Sequence, residues 1–371
     1  MTTAPGTLAD LVVTDFSDAA AAAWCSRLLA DFGATVVMVE PPGGHPLRRE
    51  PPFDDHGDSI AAAYFLANKR SVILDLEQEG ARQRALQLAR RSDVVINSLP
   101  PSRLEERGLT YGQIDRPGLV MAHVTMHGMS GPLAEVPGDE LTVAARSGWA
   151  GINGDANREP LRPSGHQVAF CAGVAAYAAV VAAILHRDRH PGEGQEVDIA
   201  ALDVMVSAFA PALLRAGYTG KSPGRRESAD ITAGPVPVAD GHFALTISRA
   251  HFWRDAMHVL GLDDLAEDPR WESSWYRAAH KEEYVDRVQQ AMARWPKHEL
   301  FQELAARRVV AGPVLTMEEI AENEHLRERG FLVEAPGGER FPGPPFQMSG
   351  SPWTLRSPAP RPGAHEREVW A

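Results

Sequence analysis

Apolar residues along this chain gather into short continuous runs, separated by turn residues and by longer stretches with helical spacing. Leu11 to Phe16 is the first such run and reads as a buried strand. The alanine-rich stretch from about Ala19 to Phe32 reads as a helix, closed by Gly33 at a C-cap position. Ala34 to Glu40 is a second buried strand, ended by the turn Pro41-Pro42-Gly43-Gly44. A strand–helix–strand unit of this kind calls for a parallel sheet. Ser71–Leu76, Asp93–Asn97 and Leu119–Val124 supply three more strands, with a helix from about Gln78 to Arg91 after the first of them. The predicted class is α/β with a Rossmann-like parallel sheet. Its dinucleotide fingerprint is missing, because Asp15-Phe16-Ser17-Asp18 follow the first strand where a glycine-rich turn is required.

Val168 to Leu185 is the most apolar stretch, and it reads as a buried helix ending at His186-Arg187. From about Ser207 to Pro237 the texture changes to a Gly/Pro/Arg-rich connection that includes Lys221-Ser222-Pro223-Gly224-Arg225-Arg226. Asp240-Gly241 then sits between two apolar runs, Pro235–Ala239 and His242–Ile247, and predicts a hairpin. Amphipathic helices at about His251–Leu260, Lys281–Arg294 and Lys297–Arg307 complete a smaller α+β domain. Beyond Phe331 the chain is rich in Pro and Gly and reads as an extended return segment.

Composition narrows the function classes. The chain has 371 residues and a formal net charge of −12, a sign that disfavours nucleic-acid binding. Val168–Leu185 is an uncharged apolar run of 18 residues, but it is alanine-rich and stops at His186-Arg187, so a buried helix and not a membrane span is expected. Asp10 and Asp15 interrupt the beginning, which lacks the basic and apolar blocks of a secretion signal. Two cysteines, Cys25 and Cys171, build neither a disulfide framework nor a metal cage, and a reducing cytoplasm is the simple expectation. His186 and His190 are four residues apart but lack a third ligand and a glutamate base, so no metal is expected.

Seven segments, in order and spread over nearly the whole chain, carry a resemblance. They are Leu28–Ala34 with Val39-Glu40-Pro41, Asn68–Leu76, Asp93–Asn97, Ala182–Arg187, Gly194–Ile199, Ala239–His242 and Ala311–Val314. Together they resemble the family III CoA-transferases, the CaiB/BaiF-type group that includes formyl-CoA transferases and 2-methylacyl-CoA racemases. The resemblance implies a large domain from residues 1–219 and 313–371, a small domain inserted over 220–312, and two subunits threaded through each other. A homodimer is expected, or a heterodimer with an active homologue. The implied substrate is an acyl thioester of coenzyme A or of a carrier protein.

In those transferases an aspartate carboxylate attacks the thioester to form a mixed anhydride, within a G-x-x-x-x-D-x-x-x-G pattern. The matching stretch is Gly165-His166-Gln167-Val168-Ala169-Phe170-Cys171-Ala172-Gly173, with its glycines one residue closer. Aligned from the left, Phe170 takes the aspartate position; aligned from the right, Ala169 does. No acidic residue lies between Glu159 and Asp188. The racemases use a histidine in a G-H-D pattern with the same aspartate as a two-base site. Here the first match reads Gly138-Asp139-Glu140, and Arg249 falls where the racemases have a glutamate. The candidate catalytic groups are therefore Asp139, Glu140 and His166. Cys171 is a weaker one, placed on the first helical turn where a helix dipole lowers a thiol pKa.

For the CoA pocket, Asn68-Lys69-Arg70 match a family loop at the nucleotide, with plain surface solvation as the other reading. Ile96-Asn97-Ser98-Leu99-Pro100-Pro101 keeps the asparagine of the family's E-N-F-R-P-G loop and loses its arginine and glycine. A further family arginine falls on Glu106, beside Arg103 and Arg107. The candidate cofactor-binding residues are thus Asn68, Lys69, Arg70, Asn97 and Arg107. The expected function is a diverged CoA-transferase-family enzyme acting on an acyl thioester without the aspartyl anhydride. The alternatives are a silent subunit paired with an active homologue, or a former CoA site recruited for a non-CoA reaction.

Overall fold

The computed structural model describes residues 6–225, 231–232, 234–335, 338 and 340–371. Two compact units divide the chain: Met1–Asn153, Leu161–Pro223 and His325–Ala371 form the first, Gly154–Pro160 and Gly224–Glu324 the second.

The first unit is built on β1 (Val12–Asp15), α1 (Ala20–Asp31), β2 (Thr35–Glu40), α2 (Ile60–Phe65), β3 (Arg70–Ile73), α3 (Glu79–Arg90) and β4 (Val94–Asn97). It continues through α4 (Pro101–Glu106), α5 (Tyr111–Ile114), β5 (Val120–Thr125), α6 (Glu140–Arg146), α7 (Trp149–Ile152), α8 (Gln167–Arg189) and β6 (Gln195–Ala200). All six strands are parallel, in the order β3-β2-β1-β4-β5-β6. This is the doubly wound order, with its reversal between β1 and β4.

Neighbouring residues of one strand point to opposite faces, and both faces are covered. Val13, Val36, Ile96, Val120 and Ala122 pack with α1 and α8. Val37, Val39, Val72, Val95 and Met121 pack with Leu88 of α3 and with Leu104, Leu109 and Ile114 on the other face. Strands buried on both sides read as unbroken apolar runs, which is why five of them stood out in the sequence. The sixth did not. Gln195-Glu196-Val197-Asp198 alternates in burial because β6 is an edge strand, and only its last two residues are fully buried.

Three further expectations need correction. β3 ends at Ile73 and not at Leu76, since the Asp75 side chain accepts the Glu77 N–H at 3.2 Å and turns the chain. The stretch from Ser207 to Thr219 is helical, over Ala201–Ala208 and Ala210–Thr219, and the rest of that connection includes 226–230 and 233, outside the described residues. α8 is buried along one stripe only: Val168, Ala172, Ala176, Val180 and Ile184 face inward, whereas Val174 and Leu185 are half exposed. The stripe is made of small residues so that α8 can lie close to α1. A Cβ at Gly173 would meet the Ala21 carbonyl oxygen at 2.6 Å and Trp24 Cβ at 2.8 Å.

The chain's last residues return to the first unit. Asp31 on α1 accepts from Arg27 Nε at 2.5 Å, Asn68 Nδ2 at 2.6 Å and Trp353 Nε1 at 2.6 Å. Asn68 also accepts the backbone N–H groups of Arg356 and Ser357 at 2.6 and 3.0 Å. Glu366 accepts the Ile73 N–H at 2.7 Å. The second unit contains β7 (Val236–Val238), β8 (Gly241–Leu245) and β9 (Ala311–Pro313) in one antiparallel sheet, with β7 and β8 joined by the Ala239-Asp240 turn. Its core centres on Trp253, with Phe243, Val288, Met292, Leu300 and Leu304 all fully buried.

Candidate active site

In an open doubly wound sheet the carboxyl ends of the strands face the ligand crevice. α8 starts at that end. Near its far end, Arg187 bonds Asp93, just ahead of β4, at 3.4 Å, so its amino terminus lies beyond the carboxyl ends of the strands.

Glu140, the first residue of α6, sends its carboxylate onto that terminus. Oε2 accepts the Val168 N–H at 3.0 Å and Oε1 accepts the Ala169 N–H at 2.7 Å. Both are orphan donors of the first helical turn, and the helix dipole adds a positive field. Burial raises the Glu140 pKa above the ordinary glutamate value; the two N–H bonds and the nearby charges of His166 and Arg162 pull it down without cancelling the rise. His166 occupies the N-cap position of α8. Its Nε2 lies 3.6 Å from Glu50 Oε2, and its ring meets Phe65 edge-on at 5.2 Å.

The side chain that a left alignment puts at the aspartate position turns into an aromatic cluster. Phe170 stacks on Phe65 at 5.2 Å and meets Trp24 edge-on at 5.1 Å. Ala169, from the right alignment, is buried with Ala172 in the core. Neither is a nucleophile, and the carboxylate at this helix terminus belongs to α6.

Asp139 does other work. It caps α6 and is exposed, accepting the Thr142 N–H at 2.8 Å and the Thr142 hydroxyl at 2.7 Å. Those bonds hold its carboxyl below the usual aspartate range. Cys171 lies past the first turn of α8, and burial followed by the Glu140 charge raises its pKa, so the expected dipole activation is not found. The structure thus brings together Glu140 and His166 and sets Asp139 and Cys171 apart. Glu50 and Phe65 escaped the sequence reading, since no spacing or motif marks them.

The nucleotide candidates are mostly taken up by the fold. Asn68 holds the returning tail, as described. Lys69 is buried, with Nζ 2.9 Å from the Ala23 carbonyl and 3.3 Å from Asp15 Oδ2. Asn97 is buried at the end of β4, bonded to His123 Nδ1 at 3.0 Å and to the Leu99 N–H at 3.2 Å. Arg107 and Arg103 converge on Glu77, at 3.0 and 2.7 Å. Arg70 alone has a side chain exposed and uncommitted among the described residues, and it opens β3 at the amino end of the strand.

His45, just past the carboxyl end of β2, is a pH-sensitive element. It is 1 % exposed, its Nδ1 accepts the Leu47 N–H at 3.1 Å, and its Nε2 has no hydrogen-bond partner among the described residues. Burial first, and then the Lys69 ammonium, lower its pKa to about 4. An unfolded imidazole titrates near 6.5, so the unfolded chain takes up a proton that the folded chain refuses. Stability contributed here is full above about pH 6.5 and falls as the pH drops toward 4, by up to about 3 kcal/mol. Urea midpoints at pH 7.5 and pH 4.5 should therefore differ more for the native chain than for His45→Gln. Equal differences would dismiss His45 as the source.

The Glu140 carboxylate thus lies on a helix amino terminus at the carboxyl edge of a doubly wound sheet, the edge where α/β proteins of this class carry their ligand crevice. Comparison with known proteins gives the family. The family model for CoA-transferase family III matches residues 8–366, and the chain belongs to that family. It is 31 % identical to succinate–glutarate CoA-transferase of Agrobacterium fabrum over 98 % of this chain and 95 % of that one. It is 32 % identical to the succinyl-CoA:(R)-benzylsuccinate CoA-transferase subunit BbsE of Thauera aromatica, covering 93 % and 89 %. A crystal structure of a CAIB/BAIF family protein from Brucella suis superposes with a TM-score of 0.90 at 26 % identity, over 99 % of both chains. At family level the activity is acyl-CoA transfer.

Proposed function

We propose that this chain acts on an acyl thioester of CoA by proton transfer through Glu140, assisted by His166, and not through an aspartyl anhydride. The observation that carries this reading is the Glu140 carboxylate on the Val168 and Ala169 N–H groups. A carboxyl whose pKa is raised by burial holds and releases a proton nearer neutral pH than an ordinary glutamate. In the proposed step Glu140 takes the proton α to the thioester carbonyl. The C–H electron pair moves into the enolate, and the same proton or one from His166 returns to carbon. No redox partner is consumed.

Succinyl-CoA incubated with the protein in deuterated water should gain α-deuterium, and hydroxylamine should trap no hydroxamate from the enzyme. Robust trapping would show that a carboxylate forms an anhydride after all and would replace this reading with ordinary transfer.

A second reading has one observation in its favour: a relative 32 % identical to this chain is named as a subunit. In that reading the chain is silent and completes the site of an aspartate-bearing homologue. Mixing the two should then create an activity that this chain lacks. Either way we propose a threaded dimer, and a monomer by light scattering at micromolar concentration would overturn that assembly.

A further inference from the structure

At the amino ends of β2 and β3, the sheet edge opposite Glu140, the first unit holds a cleft of about 480 Å³. Its floor is the start of β2 with Asn68, Lys69 and Arg70, and its wall is the returning tail at Arg356, His365 and Glu368. That volume lies within the range of small-molecule sites.

Two of the cations there, Arg70 and Arg356, lack a paired carboxylate among the described residues. The Arg70 guanidinium has neither hydrogen bond nor ion pair among the described residues. Arg356 gives one N–H to the Ala30 carbonyl at 2.6 Å and pairs with no carboxylate among them. Asp31, whose charge it feels, is already committed to Arg27, Asn68 and Trp353. His365 accepts the Ser71 N–H on Nδ1 at 3.2 Å, which leaves Nε2 to carry the proton and donate. Against these three donors the lining offers a single carboxylate, Glu368. In a chain with 49 acidic residues and 37 lysines and arginines, this cleft runs against the overall charge.

We propose that the cleft binds a small dianion, a phosphate monoester or a short dicarboxylate, held by Arg70 and Arg356 with His365 as a third donor. Guanidinium groups match such oxyanions by paired N–H contacts. Bound ligand joins the tail to the strand ends, so binding stabilises the fold as well as filling the cleft. Lys69 adds little, because its ammonium is already bonded to Asp15 and Ala23.

Calorimetric titration of the full chain with glycerol phosphate and with succinate, at ionic strength matched by sodium chloride, tests the proposal and separates the two sources. One of them should bind with a Kd at or below the millimolar range and raise the melting temperature. Arg70→Ala, a change at an exposed side chain, should weaken binding at least tenfold, and Glu368→Gln should tighten it. Glu140→Gln should bind as the native chain does, which keeps this site independent of the proposed chemistry. Unchanged affinity in Arg70→Ala, a response no larger than that to chloride, or displacement of the probe by CoA would each overturn it.

Discussion

Glu140→Gln is expected to slow α-proton exchange by about a hundred- to ten-thousand-fold, the range typical of losing a general base. Glutamine keeps the shape of the side chain and removes its proton chemistry. It also turns one amide NH2 toward either the Val168 or the Ala169 N–H, where two acceptors stood before. Circular dichroism and a melting curve should therefore accompany the rate. Asp139→Asn is the matched control, because asparagine caps a helix as well as aspartate and Asp139 acts as a cap. The pH profile gives a third readout. Exchange should climb with pH through a pKa above the ordinary glutamate value and the climb should vanish in Glu140→Gln. Native rates in Glu140→Gln with slow rates in Asp139→Asn would reverse the assignment of the two carboxylates.

Asp31→Ala is expected to cost about 3–5 kcal/mol of stability, the usual penalty for removing one partner of a buried ion pair. Arg27 and Asp31 are both about 1 % exposed, so the guanidinium left behind would be an uncompensated buried charge. Burial raises the Asp31 pKa even against the pull of Arg27, Asn68 and Trp353, which shows how strongly this site is desolvated. Urea denaturation reads the loss directly. Replacing both partners, as Arg27→Met with Asp31→Leu, should recover part of it, because two apolar side chains leave no orphaned charge. A loss below 1 kcal/mol in Asp31→Ala would mean that water reaches the pair.

The legible parts of this chain were those written as continuous apolar runs. β1, β2, β4 and β5 are buried on both faces, so their side chains had no reason to alternate, and the runs stood out. β6 carries glutamate and aspartate on its outward positions and a glutamine at its start, and was hidden for that reason. At the site, the sequence showed no acidic residue between Glu159 and Asp188 and offered Asp139, Glu140 and His166 on equal terms. Only distance separates them: Glu140 reaches across from α6 to α8, 28 and 29 residues on, and no local pattern encodes that reach. Asn68 and Lys69 are ligand candidates by their match to a family loop, and a resemblance in sequence does not say which way their side chains point. Here a left-handed turn at Asn68, with φ of +63°, belongs to a stretch whose polar side chains point inward.

The bonds from Asp31 and Asn68 to Trp353, Arg356 and Ser357 join positions separated by 288 to 322 residues. On a ribosome the first 220 residues emerge with their strands in order and their apolar faces ready to pair. The partners for Asp31 and Asn68 are then still unmade, and the whole of the second unit must be synthesised before they appear. Contacts of such sequence separation carry a high loop-closure cost and close late. The nascent first unit thus waits with a buried carboxylate and an asparagine side chain half satisfied, a condition in which chaperone binding competes with folding. Truncation a few residues before Trp353 would hold the chain permanently at that stage.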